Sequence, residues 1–290
     1  MKTSPAQVAP GEHYFVPQPS LYPVILSGGM FLLALGFIQL LNNFGPGKWV
    51  MLGGTAVILY VLFGWFGKVI GESQGGAYRD WEDRSFRYGM IWFIATEVMF
   101  FAAFFGALFY VRVISVPDLG GMMGAHGTSL WPEFAGTWPT SGPKGAEFTP
   151  MGAWGIPSIN TALLLSSGAT VTWAHWGLLR NNRSHLILGL IATVLLGSLF
   201  LGFQAYEYHH AYSELGLTMG AGAYGATFFM LTGFHGFHVT LGTIMLAVIL
   251  LRSLSGHFTP ERHFAFEGVA WYWHFVDVVC LLLFVFVYWV

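Results

Sequence analysis

Seven times along this chain an apolar stretch runs for about the length needed to cross a bilayer: Leu21–Leu41, Trp49–Phe66, Tyr88–Val111, Ile156–Leu179, His185–Tyr206, Ala223–Leu251 and Val269–Val290. A hydrocarbon core about 30 Å thick takes roughly 20 helical residues to span. Lipid offers no partner to an unpaired backbone amide, so such stretches are expected to be helices. The second reads as the shortest and the sixth as the longest. Charged residues make up only 9% of the chain, against roughly 25% in soluble domains, which points to the same solvent. The expectation is an all-α integral membrane protein. Its parts are an N-terminal cytoplasmic tail over 1–20, two transmembrane helices over 21–66, a charged inner loop over 67–87, and a five-helix bundle over 88–290 with a long external loop at 112–155.

The basic residues give the orientation, because Lys and Arg concentrate on the cytoplasmic side. Lys2, Lys68, Arg79, Arg84, Arg87, Arg180, Arg183, Arg252 and Arg262 fall on one side, and Lys48, Arg112 and Lys144 on the other. Nine against three places the N-terminus inside and the C-terminus outside. The first 20 residues are polar, hold Pro5, Pro10, Pro17 and Pro19, and lack a signal-peptide core, so the first span is expected to remain in the mature protein. A net charge of −2 leaves no footprint for nucleic acid. The single cysteine, Cys280, forms no internal disulfide and no metal motif, and reads as a small buried residue. Ala102 and Gly106, Thr193 and Gly197, and Ser198 and Gly202 have the four-residue spacing that lets helices approach closely.

Polar groups inside a membrane ask for a reason. Glu97 has no other charged residue within nine positions and falls near the middle of the third span. It reads either as a carboxyl facing a lipid headgroup, a water pocket or a proton path, or as a protonated glutamic acid bonded within the bundle. His274 and Asp277, three residues apart on the seventh span, share a helix face. His235 and His238 form a second pair on the sixth span. Without a cysteine pattern or an HxxxH pair, these four read as an intramembrane polar network rather than as metal ligands, and no metal site or catalytic residue is assigned. Gln204, Glu207 and His210 follow at threes, with Glu207 read as solvated near the interface. Trp49, Trp271, Tyr272, Tyr288 and Trp289 fit an interfacial aromatic belt. Arg87 and Arg252 stand at inner helix ends, where a guanidinium reaches lipid phosphate.

Four motifs, RYGMIWFIATEVMFF (87–101), TWAHW (172–176), YGATFFMLTGFHGFHVTLG (224–242) and FEGVAWYWHFVDVV (266–279), resemble the cytochrome c oxidase subunit III family. That resemblance implies a V-shaped arrangement, helices 1–2 against helices 3–7, with a lipid-filled cleft. It implies a non-redox core subunit of the proton-pumping terminal oxidase of aerobic respiration, which stabilises the catalytic subunit, supports proton uptake and holds phospholipids. It further implies subunits I and II as partners that carry the haems and copper, with no redox cofactor in this chain. Arg87, Glu97, Arg252 and His257 match the family's lipid-contacting positions. Ser255 stands where the mitochondrial form has a basic residue, and the longer loop after span three favours a bacterial inner (plasma) membrane. Seven spans favour this family over a five-span quinol-oxidase subunit, which stays the alternative.

Other classes fare worse. A retinal protein needs a lysine in its last span, whereas the final lysine here is Lys144. A haem-binding electron carrier would rest on His235, His238 and His274 alone. A transporter would show two matching halves with broken helices, and none is found.

Overall fold

A computed structural model of the chain describes residues 15–121 and 131–289. Lys2, Pro5 and Pro10, most of the expected tail, part of the 112–155 loop, and Val290 lie outside the described residues. Seven long helices make up the fold, with no strand among the described residues: α1 (Tyr22–Leu41), α2 (Gly47–Gln74), α3 (Asp80–Phe109), α4 (Ile156–Leu179), α5 (Arg183–Ser213), α6 (Gly222–Leu254) and α7 (Phe264–Leu283). Six of them are long and apolar enough to cross a membrane. The other, α4, has the length at 24 residues but carries Ser158, Asn160, Thr161, Ser166, Ser167, Thr170, Thr172 and His175. It packs against α5 and α7, both of which qualify as spans.

Several boundaries differ from the expected ones. The apolar run of the second span stops near Phe66, yet α2 continues for two more turns to Gln74. Lys68 and Glu72 lie one turn apart and 4.0 Å from each other, so polar residues prolong the helix past its apolar part. α3 then starts at Asp80, with Asp80, Glu82 and Asp83 in its first turn, where carboxylates favour the helix dipole. The expected inner loop over 67–87 therefore reduces to a connection over 75–79, and α2, expected as the shortest span, is 28 residues long. α3 runs on through a π-helical turn (Tyr110–Ser115) and a short helix (Val116–Leu119), and α7 ends in a π-helical turn (Phe284–Trp289).

The chain divides into two compact units, 1–86 and 87–290. In the first, α1 and α2 touch backbone to backbone. A methyl group on Gly36 would stand 2.3 Å from the Met51 amide nitrogen, and one on Gly54 would stand 2.5 Å from that of Leu33. The absent side chains are what allow the approach. Beyond α2, Glu82 accepts from the Phe15 and Arg79 amides at 3.0 and 2.9 Å. Tyr78 lies edge-on to Phe15 and Phe86 and donates to Glu72 at 2.7 Å.

The second unit is built around Trp273, which is 0% exposed. Its indole N–H donates to Ser167 Oγ at 2.8 Å. Its six-membered ring lies between two glycines: a methyl on Gly197 would meet it at 2.9 Å and one on Gly242 at 2.7 Å. α4 and α5 close on one another through Gly177 and Gly189, and the hydroxyls of Thr170 and Thr193 bond at 2.8 Å. Of the three expected small-residue pairs, Thr193 with Gly197 lies at a helix contact. Gly106 and Gly202 have nothing within 4 Å of where a methyl would stand.

Candidate functional site

Four groups of polar side chains stand out in the second unit. The first joins α3 to α6. His238 Nε2 lies 3.0 Å from Glu97 Oε2, and His238 Nδ1 lies 2.6 Å from the Phe234 carbonyl. A carbonyl only accepts, so Nδ1 carries a proton, and a single further proton is shared between imidazole and carboxyl. Phe100 and Phe101 pack on the imidazole, while the Tyr272 hydroxyl donates to the His238 carbonyl at 3.3 Å. The Glu97 side chain retains 21% of its exposure and that of His238 9%. Of the two readings open for Glu97, the bonded carboxyl therefore has a named partner on another helix.

The second group joins α4 to α7. Thr172 Oγ1 donates its proton to the Gly168 carbonyl at 2.9 Å and lies 3.2 Å from His274 Nε2, so Nε2–H is the donor to the hydroxyl. His274 Nδ1 then faces Asp277 Oδ2 at 3.6 Å, too long for a good hydrogen bond. Asp277 is nearly buried, and its Oδ1 has no hydrogen-bond partner among the described residues. Gly168 makes the arrangement possible, since a methyl there would stand 2.2 Å from Asp277 Oδ2. These residues line an open groove of ≈ 330 Å³ together with Leu165, Val278 and Leu281.

The third group sits where α6 ends and α7 begins. Arg87 forms an ion pair with Glu267 and lies over the Phe264 ring at 5.6 Å. His263 approaches Glu267 at 3.9 Å, and His175 stacks obliquely near His263 at 5.5 Å between ring centres. The Arg252 guanidinium lies 4.6 Å over Phe258, with its Nε buried and unpartnered among the described residues. His257 is exposed and donates its backbone N–H to the Arg252 carbonyl at 3.0 Å. Arg183 donates to the Leu254 carbonyl at 2.8 Å.

The fourth group corrects the reading of Glu207 as solvated. α5 extends to Ser213, so Glu207 lies inside the helix, 1% exposed, and Tyr288 donates to its Oε1 at 2.5 Å. Tyr288, like the buried Tyr272, belongs to the interior rather than to an aromatic belt, while Trp49 and Trp289 stay exposed. His210, the third member of that series, pairs instead with Glu214 at 3.1 Å. His235 is 2% exposed, with neither ring nitrogen bonded among the described residues.

The eight residues singled out from the sequence thus fall into separate places. His238 goes to Glu97, His274 to Asp277, and His235 stands apart; no hydrogen bond among the described residues joins these three places. The sequence does not single out Glu267, Thr172 or Asn160. Thr172 and Glu267 lie inside the quoted motifs, but pairing them needed the helix packing. Among the described residues, no three His, Cys, Asp or Glu side chains converge as metal ligands would.

Comparison with known proteins extends these motifs to nearly the whole chain. A family model for cytochrome c oxidase subunit III matches residues 12–290. Cytochrome c oxidase subunit 3 of Marchantia polymorpha is 42% identical over 272 residues, covering 93% of this chain and 94% of the relative. The Arabidopsis thaliana protein of that name is 41% identical and the Latimeria chalumnae one 39%, each over 277 residues, covering 95% of this chain and 96% of the relative. With its all-helical, multi-span fold and its intramembrane carboxyls, this chain belongs to the cytochrome c oxidase subunit III family and is a subunit of that oxidase.

Proposed function

We propose that this subunit performs no redox chemistry itself and completes the oxidase from the side, seated against the subunits that carry the haems and copper. The observation that carries this reading is the groove at His274 and Asp277. The His274 side chain is 46% exposed, with Asp277 Oδ2 3.6 Å from its Nδ1. Acyl chains supply no hydrogen bond, so polar groups on a membrane-facing surface call for a protein neighbour. A transmembrane helix of subunit I or II fits that demand. A photo-crosslinking residue in place of Leu165, on the wall of the groove, is expected to link to a redox subunit in the intact oxidase. Links to lipid alone would refute the assignment.

Phospholipid is the second proposed ligand. Arg252 and the exposed His257 suit a headgroup phosphate, the guanidinium contributing about 1 kcal/mol at an anionic surface. Arg87 suits it less, because Glu267 already neutralises it. Support for proton uptake and for the lifetime of the catalytic subunit follows from the same lateral placement. We also assign the N-terminus to the cytoplasmic side, on the nine-to-three split of basic residues, and the membrane to a bacterial plasma membrane, on the longer loop after span three. Since Cys280 is buried, cysteines introduced at Gly76 and Gly142 give a clean accessibility test. Labelling of the first from the cytoplasm and the second from outside is expected, and the reverse would overturn the topology.

A further inference from the structure

The buried Glu207 and the unbonded His235 face the same space. α4 contributes Asn160 from its second turn, α5 contributes Glu207, α6 contributes His235, and the turn after α7 contributes Tyr288. Between them lies a cavity of ≈ 20 Å³. Its polar walls are as closed as the core: Asn160 is 3% exposed, His235 2% and Glu207 1%. Four wall atoms have no partner among the described residues: Asn160 Oδ1, Gln204 Nε2 and both ring nitrogens of His235. Phe200 stands edge-on to His235 at 5.7 Å between ring centres and offers no lone pair.

Two accounts of this space are possible, and they differ in what fills it. If it is dry, an amide oxygen and an imidazole are buried without hydrogen bonds, a costly arrangement that folded proteins almost always avoid. If it is wet, the size has to match, and one water needs about 10–15 Å³ measured this way along with two to four polar partners. The cavity has room for one such molecule and supplies those partners. An imidazole that is neutral presents one donor and one acceptor, and an amide oxygen accepts, so a water can donate to Asn160 and bond His235 in either sense.

We infer that this cavity is a binding site for a single ordered water, held by Asn160 Oδ1 and a ring nitrogen of His235 beside the Glu207–Tyr288 hydrogen bond. The water completes a polar cross-brace that touches all four of α4, α5, α6 and the end of α7. It is distinct from the Glu97–His238 pair, which uses the other histidine of the sixth helix, and from the His274–Asp277 groove on the outer surface.

The test uses the intact oxidase, in a density map sharp enough to show waters, with water itself as the probe. A peak within about 2.7–3.2 Å of both Asn160 Oδ1 and a His235 nitrogen is expected. In the Asn160→Leu variant, near in size but without the acceptor, the peak should vanish while the subunit stays assembled. An empty cavity in the unmodified enzyme overturns the inference, as does a rearrangement that bonds Asn160 directly to His235. So does a peak that persists undiminished in Asn160→Leu. Should that variant fail to assemble, infrared difference spectra of the unmodified enzyme decide the matter. Exchange into H₂¹⁸O is expected to shift the O–H stretch of an isolated internal water, and His235→Phe should remove that band; a band untouched by His235→Phe would overturn the inference.

Discussion

Gly242→Ala tests the idea that the five-helix unit is organised around one immobile indole. The added methyl would stand 2.7 Å from both Cε3 and Cζ3 of Trp273, whereas carbon atoms rest comfortably at about 3.5–4.0 Å. The ring therefore has to retreat by about 1 Å. It has nowhere to go. Gly197 closes the far side so tightly that even a methyl there would stand 2.9 Å from the ring, and the bond from Nε1 to Ser167 fixes the tilt. Overpacking of this kind typically costs 1–3 kcal/mol, and a ring pinned on three sides places the cost at about 2–3 kcal/mol. That corresponds to roughly a 30- to 150-fold loss in the folded-to-unfolded ratio. The assay is the fraction of this subunit retained in the detergent-purified oxidase along a heating series, for Gly242→Ala, Trp273→Phe and the pair. All four clashing ring atoms, the two facing Gly242 and the two facing Gly197, belong to the six-membered ring that a phenylalanine cannot reach in full. The double variant should therefore recover about 1–2 kcal/mol relative to the sum of the singles. If Gly242→Ala falls within about 0.5 kcal/mol of the parent, or if the two changes simply add, the packing argument is wrong.

Glu97→Gln should keep a hydrogen bond to His238 and leave the initial turnover rate intact, with the loss appearing as a shorter lifetime over many turnovers. Glu97→Ala leaves His238 Nε2 unpaired and should destabilise by about 1–3 kcal/mol more; a Glu97→Gln enzyme that assembles but has no initial rate would make Glu97 catalytic. For Arg87 and Glu267, each single change to leucine removes one half of an ion pair whose side chains are 30% and 16% exposed. We expect about 2 kcal/mol for each, below the 3–5 kcal/mol of a fully buried pair, with the double change milder than either single; strict additivity in retention assays would count against a coupled pair. Tyr78 lies outside the spans, and burial first, then its bond to Glu72, raises its phenol above the usual value. Its folded-state pKa is thus the higher one, so its contribution is complete at neutral pH and fades only as pH climbs past about 10. Hydrogen exchange over 72–82 should quicken in that alkaline range and lose the dependence in Tyr78→Phe.

Helix number and identity could be read from the sequence because apolar length and quoted motifs are local properties. The ends could not, since apolar runs stop where lipid stops and helices do not. Lys68 and Glu72 extend α2 beyond its apolar part, and polar residues carry α5 to Ser213, which turns Glu207 from a surface residue into a buried one. The polar positions Glu97, His238, His274 and Asp277 drew notice as costly residues in lipid, which is again local. Their partners depend on which helices touch. Glu97 meets His238 across 141 positions, and Arg87 meets Glu267 across 180, and nothing in the spacing of either sequence segment announces it. Glycines misled in both directions. Gly106 and Gly202 had the right spacing but face open space, while Gly36, Gly54 and Gly168 carry the closest approaches between helices.

α4 has a consequence for how the chain is made. It carries eight hydroxyl, amide and imidazole side chains, and a ribosome delivers this segment to the membrane before the helices it packs against, α5 and α7, exist. Taken alone, a helix so rich in polar groups partitions poorly into lipid from a translocon. The next helix follows after residues 180–182, and it brings Thr193 to Thr170 and Gly189 to the backbone of Thr170 and Ala174. The two therefore enter as a hairpin, the later helix rescuing the earlier. Mutations that loosen their glycine seam are biogenesis defects, felt at insertion, before any oxidase has been assembled.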